Sequence, residues 1–118
     1  MINVIERWFE FVETEEFSAE IDRIGRPELL EAIQSDLLQN ASRWPVIPGT
    51  GGARKGRVAD PRSDRGKSAG FRYLYFYAER RATVYLLLVF SKAVQANLSP
   101  KQKKALSTLT TILRKETA

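Results

Sequence analysis

Lysine and arginine are the residues of this sequence whose clustering could do chemistry. From Arg43 to Arg72 there are 8 basic against 2 acidic residues, gathered in two glycine-bearing stretches, Gly49 to Arg57 (GTGGARKGR) and Arg62 to Gly70 (RSDRGKSAG). The first sets Arg54, Lys55 and Arg57 behind Gly49, Gly51 and Gly52. Glycine permits positive φ and close backbone approach, and the adjacent cations can contact phosphate. The second repeats the theme with Arg62, Arg65 and Lys67. Gly66-Lys67-Ser68 is not a phosphate loop of the Walker type, because the upstream glycine is missing and no helix follows. Arg72 opens one apolar run and Lys92 follows another. A basic run is most often a solvated surface; clustering between strands rather than along a helix shifts the balance toward a polyanion partner. With 0 His and 0 Cys, the chain has no imidazole, thiolate, disulfide or usual zinc ligand set. Catalysis, if present, runs on Lys, Arg, carboxylates, Tyr or hydroxyls, with neither metal nor cofactor expected.

The elements that must position these cations are readable from periodicity. Asn3 to Val12 (NVIERWFEFV) is rich in strand formers and predicts an opening strand, although Ile5, Trp8, Phe9 and Val12 also fit helical spacing. Phe17, Ile21 and Ile24 predict a helix stopping at Gly25; Pro27 then starts a second, with stripe Leu30, Ile33 and Leu37, ending near Asn40. A short strand is expected over Arg54 to Ala59. Phe71 to Ala78 (FRYLYFYA) and Thr83 to Phe90 (TVYLLLVF) predict a β-hairpin, the second strand central because it is apolar on both faces. Alternation puts Phe71, Tyr73, Tyr75 and Tyr77 on one face and Arg72, Leu74 and Phe76 on the other. Core packing is the first expectation for the tyrosines, base stacking the second. Ser99, Pro100 and Gln102 spell a capping box before a last helix with stripe Leu106, Leu109 and Leu113. The expected architecture is α+β: a small antiparallel sheet with two N-terminal helices and a C-terminal helix, helices on one face and the other free to bind.

At 118 residues the chain has the size of one domain, residues 1–118, and 43% hydrophobic residues suffice for a core. The net charge of +5 hides an asymmetry: Met1 to Ser42 holds 3 Arg/Lys against 10 Asp/Glu, and Arg43 to Ala118 holds 16 against 4. The basic portion points to a polyanion. The acidic N-terminus is unlike a signal peptide and Val84 to Phe90 is too short to cross a bilayer, so a cytoplasmic protein without membrane contact is expected.

Taken together, IPGTGGARKGRVAD (Ile47 to Asp60), RGKSAGFRYLYFY (Arg65 to Tyr77), VYLLLVFSK (Val84 to Lys92) and LSPKQKKAL (Leu98 to Leu106) resemble the RelE/HigB-type toxins of bacterial type II toxin–antitoxin modules, in order and spacing and over nearly the whole chain. The glycine loop followed by Gly-Lys-Ser-x-Gly-x-Arg resembles the HigB-like branch. The resemblance implies a compact α+β toxin that enters the ribosomal decoding site and cleaves messenger RNA without a metal. It also implies neutralisation by a cognate helix-turn-helix antitoxin, operator DNA being contacted only through that antitoxin. Residue by residue, Lys55 and Arg57 match the basic pair after the glycine loop, Arg72 the arginine of the Gly-x-Arg strand opening, and Lys92 the cation ending the next strand. Lys67 is a looser match; Arg54, Arg62 and Arg65 would contact RNA. Some RelE members carry an Arg and a Tyr beyond the last strand, whereas here Ala93 follows Lys92 and no Tyr follows Tyr85, so the pattern names no general base. The ParE relatives share the fold and inhibit DNA gyrase without a nuclease site. That alternative stays open at this point, as does docking on ribosomal RNA without catalysis.

Overall fold

Thr14 turns the chain from its first strand into its first helix. The strand β1 (Glu10–Glu13) ends beside it. The Thr14 hydroxyl accepts from the Phe17 N–H as N-cap of α1 (Glu15–Ile24) and donates to the Leu87 carbonyl at 2.8 Å, fastening the helix to a later strand. Gly25, at φ 70°, closes α1, and Pro27 occupies the first turn of α2 (Pro27–Gln39). The strands β2 (Arg54–Val58), β3 (Phe71–Ala78) and β4 (Thr83–Ser91) follow, a 3-10 turn at Glu79–Arg81 joining the last two. The helix α3 (Pro100–Glu116) opens on the expected reciprocal capping box of Ser99 and Gln102. This computed structural model describes residues 9–62, 70–91 and 97–118. The part of the expected first strand before residue 9 lies outside the described residues, as do Arg65, Lys67 and Lys92.

The sheet has the order β1-β4-β3-β2. The pairs β2–β3 and β3–β4 are antiparallel, as expected, whereas β1 lies parallel to β4, so the sheet is mixed. β4 is central, its backbone paired with β3 at one edge and with β1 at the other. The expectation of one free face is corrected. Phe17, Ile21, Leu29, Ile33 and Leu37 of α1 and α2 pack on Tyr73, Tyr75, Val84 and Leu86, while Leu106 and Leu113 of α3 cover Leu74, Phe76, Leu87 and Phe90 on the other side. The two-faced apolarity of β4 requires this, since exposing either face would leave large side chains in water. The buried stripe of α3 is Leu106, Thr110 and Leu113, with Leu109 half-buried instead of central. The Thr110 hydroxyl donates to the Thr50 carbonyl at 2.8 Å, so a polar residue on the inner face anchors the loop before β2. Among the described residues no helix is long and apolar enough to cross a membrane.

The tyrosines are core residues. Tyr73 and Tyr75 are wholly buried, and their hydroxyls donate to Asp36 Oδ2 at 2.5 Å and to the Ala41 carbonyl at 2.7 Å. Burial pushes the Tyr75 phenol up to about 12 and the Tyr73 phenol further, the Asp36 carboxylate adding to the second shift. Because folding raises both values, ionisation favours the unfolded chain. The contribution to stability is whole below the ordinary phenol value of 10.0 and is lost as pH climbs through about 12. Tyrosinate absorbance from Tyr75, isolated by difference from a Tyr75→Phe variant, is therefore expected to rise only together with loss of far-UV circular dichroism. Tyr75 ionising in the still-folded chain at pH 10 would contradict this burial.

Candidate catalytic site

Directly opposed residues of an antiparallel pair share a face, with their Cβ atoms about 5 Å apart. In the β2–β3 pair, Arg57 stands opposite Arg72 and Lys55 opposite Leu74. Lys55 and Arg57 are two residues apart on β2, so all three cations lie on one face. That face also carries Leu74 and Phe90, which places the cluster at the margin of the α3 core. Arg57 is exposed, Lys55 half-buried and Arg72 only 5% exposed. Like charges directly opposed weaken a strand pair.

Electrostatics sharpens the arrangement. Burial lowers the Lys55 ammonium below its ordinary value, and the positive charges of Arg72 and Arg57 lower it further. Arg72 is lowered by burial first and then by Arg57. An amine held this way releases its proton more readily than a solvated lysine, while the guanidinium beside it stays protonated. Tyr73 and Tyr75, whose phenols are held protonated, are unsuited to the part of base. Among the described residues no three His, Cys, Asp or Glu gather as metal ligands.

Of the residues singled out from sequence, Lys55, Arg57 and Arg72 come together. Arg54 does not join them: it belongs to the α2 side of β2, and its guanidinium donates to the carbonyls of Ser42 and Trp44 at 3.0 and 2.6 Å. Arg62 pairs with Glu28 of α2, Nε to Oε1 at 2.7 Å, which turns it to the helix-covered side. Lys67, Arg65 and Lys92 lie outside the described residues. Gly49, Gly51 and Gly52 do adopt positive φ of 80°, 70° and 114°. The backbone approach they permit is to α3: a Cβ on Gly51 would collide with the Thr110 hydroxyl, and the Arg114 guanidinium donates to the Gly51 carbonyl. The loop is thereby anchored to α3 ahead of the cations of β2.

Sequence reading missed the hub that holds the other side of β2. Asp36 of α2 accepts from Trp44 Nε1 at 2.6 Å, from Arg43 Nη1 at 3.0 Å and from the Tyr73 hydroxyl. Gly56 of β2 lies against the Tyr73 ring, with no room for a Cβ. A carboxylate beside the expected apolar stripe Leu30, Ile33 and Leu37, in which the structure buries Leu29 in place of Leu30, was the available signal.

No family model matches the chain. Its fold is similar to that of the E. coli toxin RelE. Against an arginine-to-alanine double variant of RelE in the free state, the TM-score is 0.56 at 12% identity, covering 86% of this chain and 96% of that one. Against the isolated RelE toxin the TM-score is 0.52 at 16% identity, covering 86% and 99%. The fold is therefore RelE-like.

Replacing Arg57 by Gln relieves the repulsion across the β2–β3 pair and is expected to raise stability in urea unfolding by about 0.2 to 1 kcal/mol. A loss of stability would show that Arg57 is held by attraction instead.

Proposed function

We propose that the chain is the toxin of a type II toxin–antitoxin module and cuts messenger RNA by phosphoryl transfer. The observation that carries this reading is the convergence of Lys55, Arg57 and Arg72 on one face, the lysine lowered by burial and by its two neighbours. The RelE-like fold and the sequence resemblance support it, the latter pointing to the HigB-like branch, to the ribosomal decoding site as the place of action, and to a helix-turn-helix antitoxin as partner. The acidic helices α1 and α2, carrying Glu15, Glu16, Glu20, Asp22 and Glu28, offer such a partner a surface apart from the cations.

The chemistry fits the inventory. Lys55, as the neutral amine, takes the proton of a ribose 2′-OH; the oxygen attacks the adjacent phosphorus, and the bond to the 5′-oxygen breaks, leaving a 2′,3′-cyclic phosphate and a 5′-hydroxyl. Arg72 and Arg57 stabilise the charge gathered on the pentacoordinate phosphorane. The protonated Lys55, or a second cation, returns a proton to the departing oxygen. Lys92 is a candidate for that second cation on the resemblance alone.

Primer extension on mRNA-programmed ribosomes tests the reading. Arg72→Ala is expected to lower cleavage about a hundredfold or more with little change in ribosome binding. Lys55→Ala is expected to lose about a hundred- to ten-thousandfold, and Lys55→Arg to fail to rescue, since a guanidinium keeps its proton. Cleavage by the parent should rise with pH and level off below the ordinary lysine range, because the neutral amine is the active form and its pKa is lowered. Parent-like cleavage by the alanine variants of Lys55, Arg57 and Arg72 would make the cluster a solvated surface and bring gyrase inhibition or plain docking forward.

A further inference from the structure

Lys55 differs in setting from the other lysines among the described residues. Lys101, Lys103, Lys104 and Lys115 stand on α3, all but Lys103 exposed. Lys55 stands within the sheet, where β2 is held along both edges: its N–H donates to the Pro45 carbonyl at 3.3 Å, and its neighbours Arg54 and Gly56 stand opposite Tyr75 and Tyr73 of β3. The backbone that carries the amine is therefore fixed. The side chain is half-buried and lines, with Arg57, a cavity of ≈ 280 Å³ at the edge of β2. Arg57 and Arg72 share its face, near enough that their charges act on its ammonium.

An amine held between a half-buried strand and two guanidiniums suits one kind of reagent. Lysine attacks a carbonyl carbon only as the neutral amine, and burial together with the two arginine charges enlarges that fraction at a given pH. The guanidiniums present forked donors that match the oxygens of a phosphate. An acyl phosphate joins both parts in one small molecule, an activated carbonyl for the lysine and a phosphate for the arginines. A neutral acylating agent gives the arginines nothing to hold. A carboxylate or a phosphate ester without an activated carbonyl gives the lysine nothing to attack.

We propose that Lys55 is a site of acylation by small acyl phosphates, Arg57 and Arg72 holding the phosphate while the amine attacks the carbonyl carbon. The C–N bond forms, and the bond from the carbonyl carbon to the phosphate oxygen breaks. Inorganic phosphate leaves with that electron pair, and the proton lost by the amine passes to water or to the departing phosphate. The product is a neutral amide, which neither carries charge nor accepts a proton as an amine does. Acylation therefore removes one cation of the three and with it the base of the cleavage step. The modification is argued from the cluster alone; its effect on cleavage rests on the nuclease reading.

The test incubates the whole chain with acetyl phosphate near neutral pH and follows each lysine by peptide mass spectrometry, the exposed lysines of α3 serving as internal references. Lys55 is expected to gain its acetyl group about tenfold faster than Lys101, Lys104 or Lys115. Excess inorganic phosphate should slow Lys55 severalfold and leave the three references unchanged. Arg57→Gln and Arg72→Gln, checked for folding by far-UV circular dichroism, should each bring Lys55 toward the reference rate, and acetic anhydride, which has no phosphate, should favour Lys55 less than acetyl phosphate does. A Lys55 acetylated no faster than the references, a rate that excess phosphate does not slow, or an equal preference with acetic anhydride overturns the proposal. Primer extension on ribosomes separates the two readings. A chain acetylated at Lys55 that still cuts message keeps the modification and loses Lys55 as base; one that cuts through Lys55 but resists acetylation there keeps the nuclease and loses the modification.

Discussion

Two arginines face each other across an antiparallel strand pair, and much of the fold exists to keep them there. The register that opposes Arg57 to Arg72 also brings Lys55 onto the same face. Left to itself, that pairing would be weakened by its own charge. It is held from both sides of the sheet. On one, Arg26 of α2 reaches Asp60 just beyond β2, at 2.6 Å, and lies over the Phe71 ring, while Tyr73 binds Asp36 and leaves Gly56 as the only residue type that fits against it. On the other, the glycine loop is pinned to α3 through Thr110 and Arg114. Both contacts grip the ends of β2, so the strand cannot slip to a register that would separate the charges.

The division of charge along the sequence becomes a division in space. The carboxylates from Glu15 to Asp36 lie on α1 and α2, which cover one face of the sheet, and Glu28 and Asp60 pair with Arg62 and Arg26 on that side. On the α3 side, Lys55, Arg57 and Arg72 share one face of β2 and β3. Arg54 shows how finely this is drawn: it is the sequence neighbour of Lys55, yet the alternation of the strand sends it to the opposite face, where it ties down the backbone at Ser42 and Trp44.

Much of this was legible in the residues. The alternation of FRYLYFYA and the apolar run TVYLLLVF gave the hairpin, and the Ser99–Gln102 pair gave the start of α3, because these signals are local. The second covered face is also implied by the two-sided apolarity of β4, which leaves no face of that strand fit for water. What local pattern could not give was the pairing of β2 with β3. More than ten residues separate Val58 from Phe71, and a connection of that length fixes no register. For the same reason a cluster of cations could be named from sequence, while the choice of Lys55, Arg57 and Arg72 over Arg54 and Arg62 needed the strand partners. The resemblance brought out these three together with Lys92, which lies outside the described residues; it could not say why Arg54 and Arg62 stand apart.

Burial and the two arginines beside it lower the Lys55 ammonium, so that at a given pH more of this side chain is the neutral amine. The direct measurement is a pH titration of the Lys55 side chain, followed by NMR at its Cε in the parent and in Arg57→Gln and Arg72→Gln variants. The account predicts a midpoint below the ordinary lysine value of 10.5 in the parent and a rise toward that value in each variant. A Lys55 that titrates as a solvated lysine, and that does not respond when either arginine is neutralised, would contradict it.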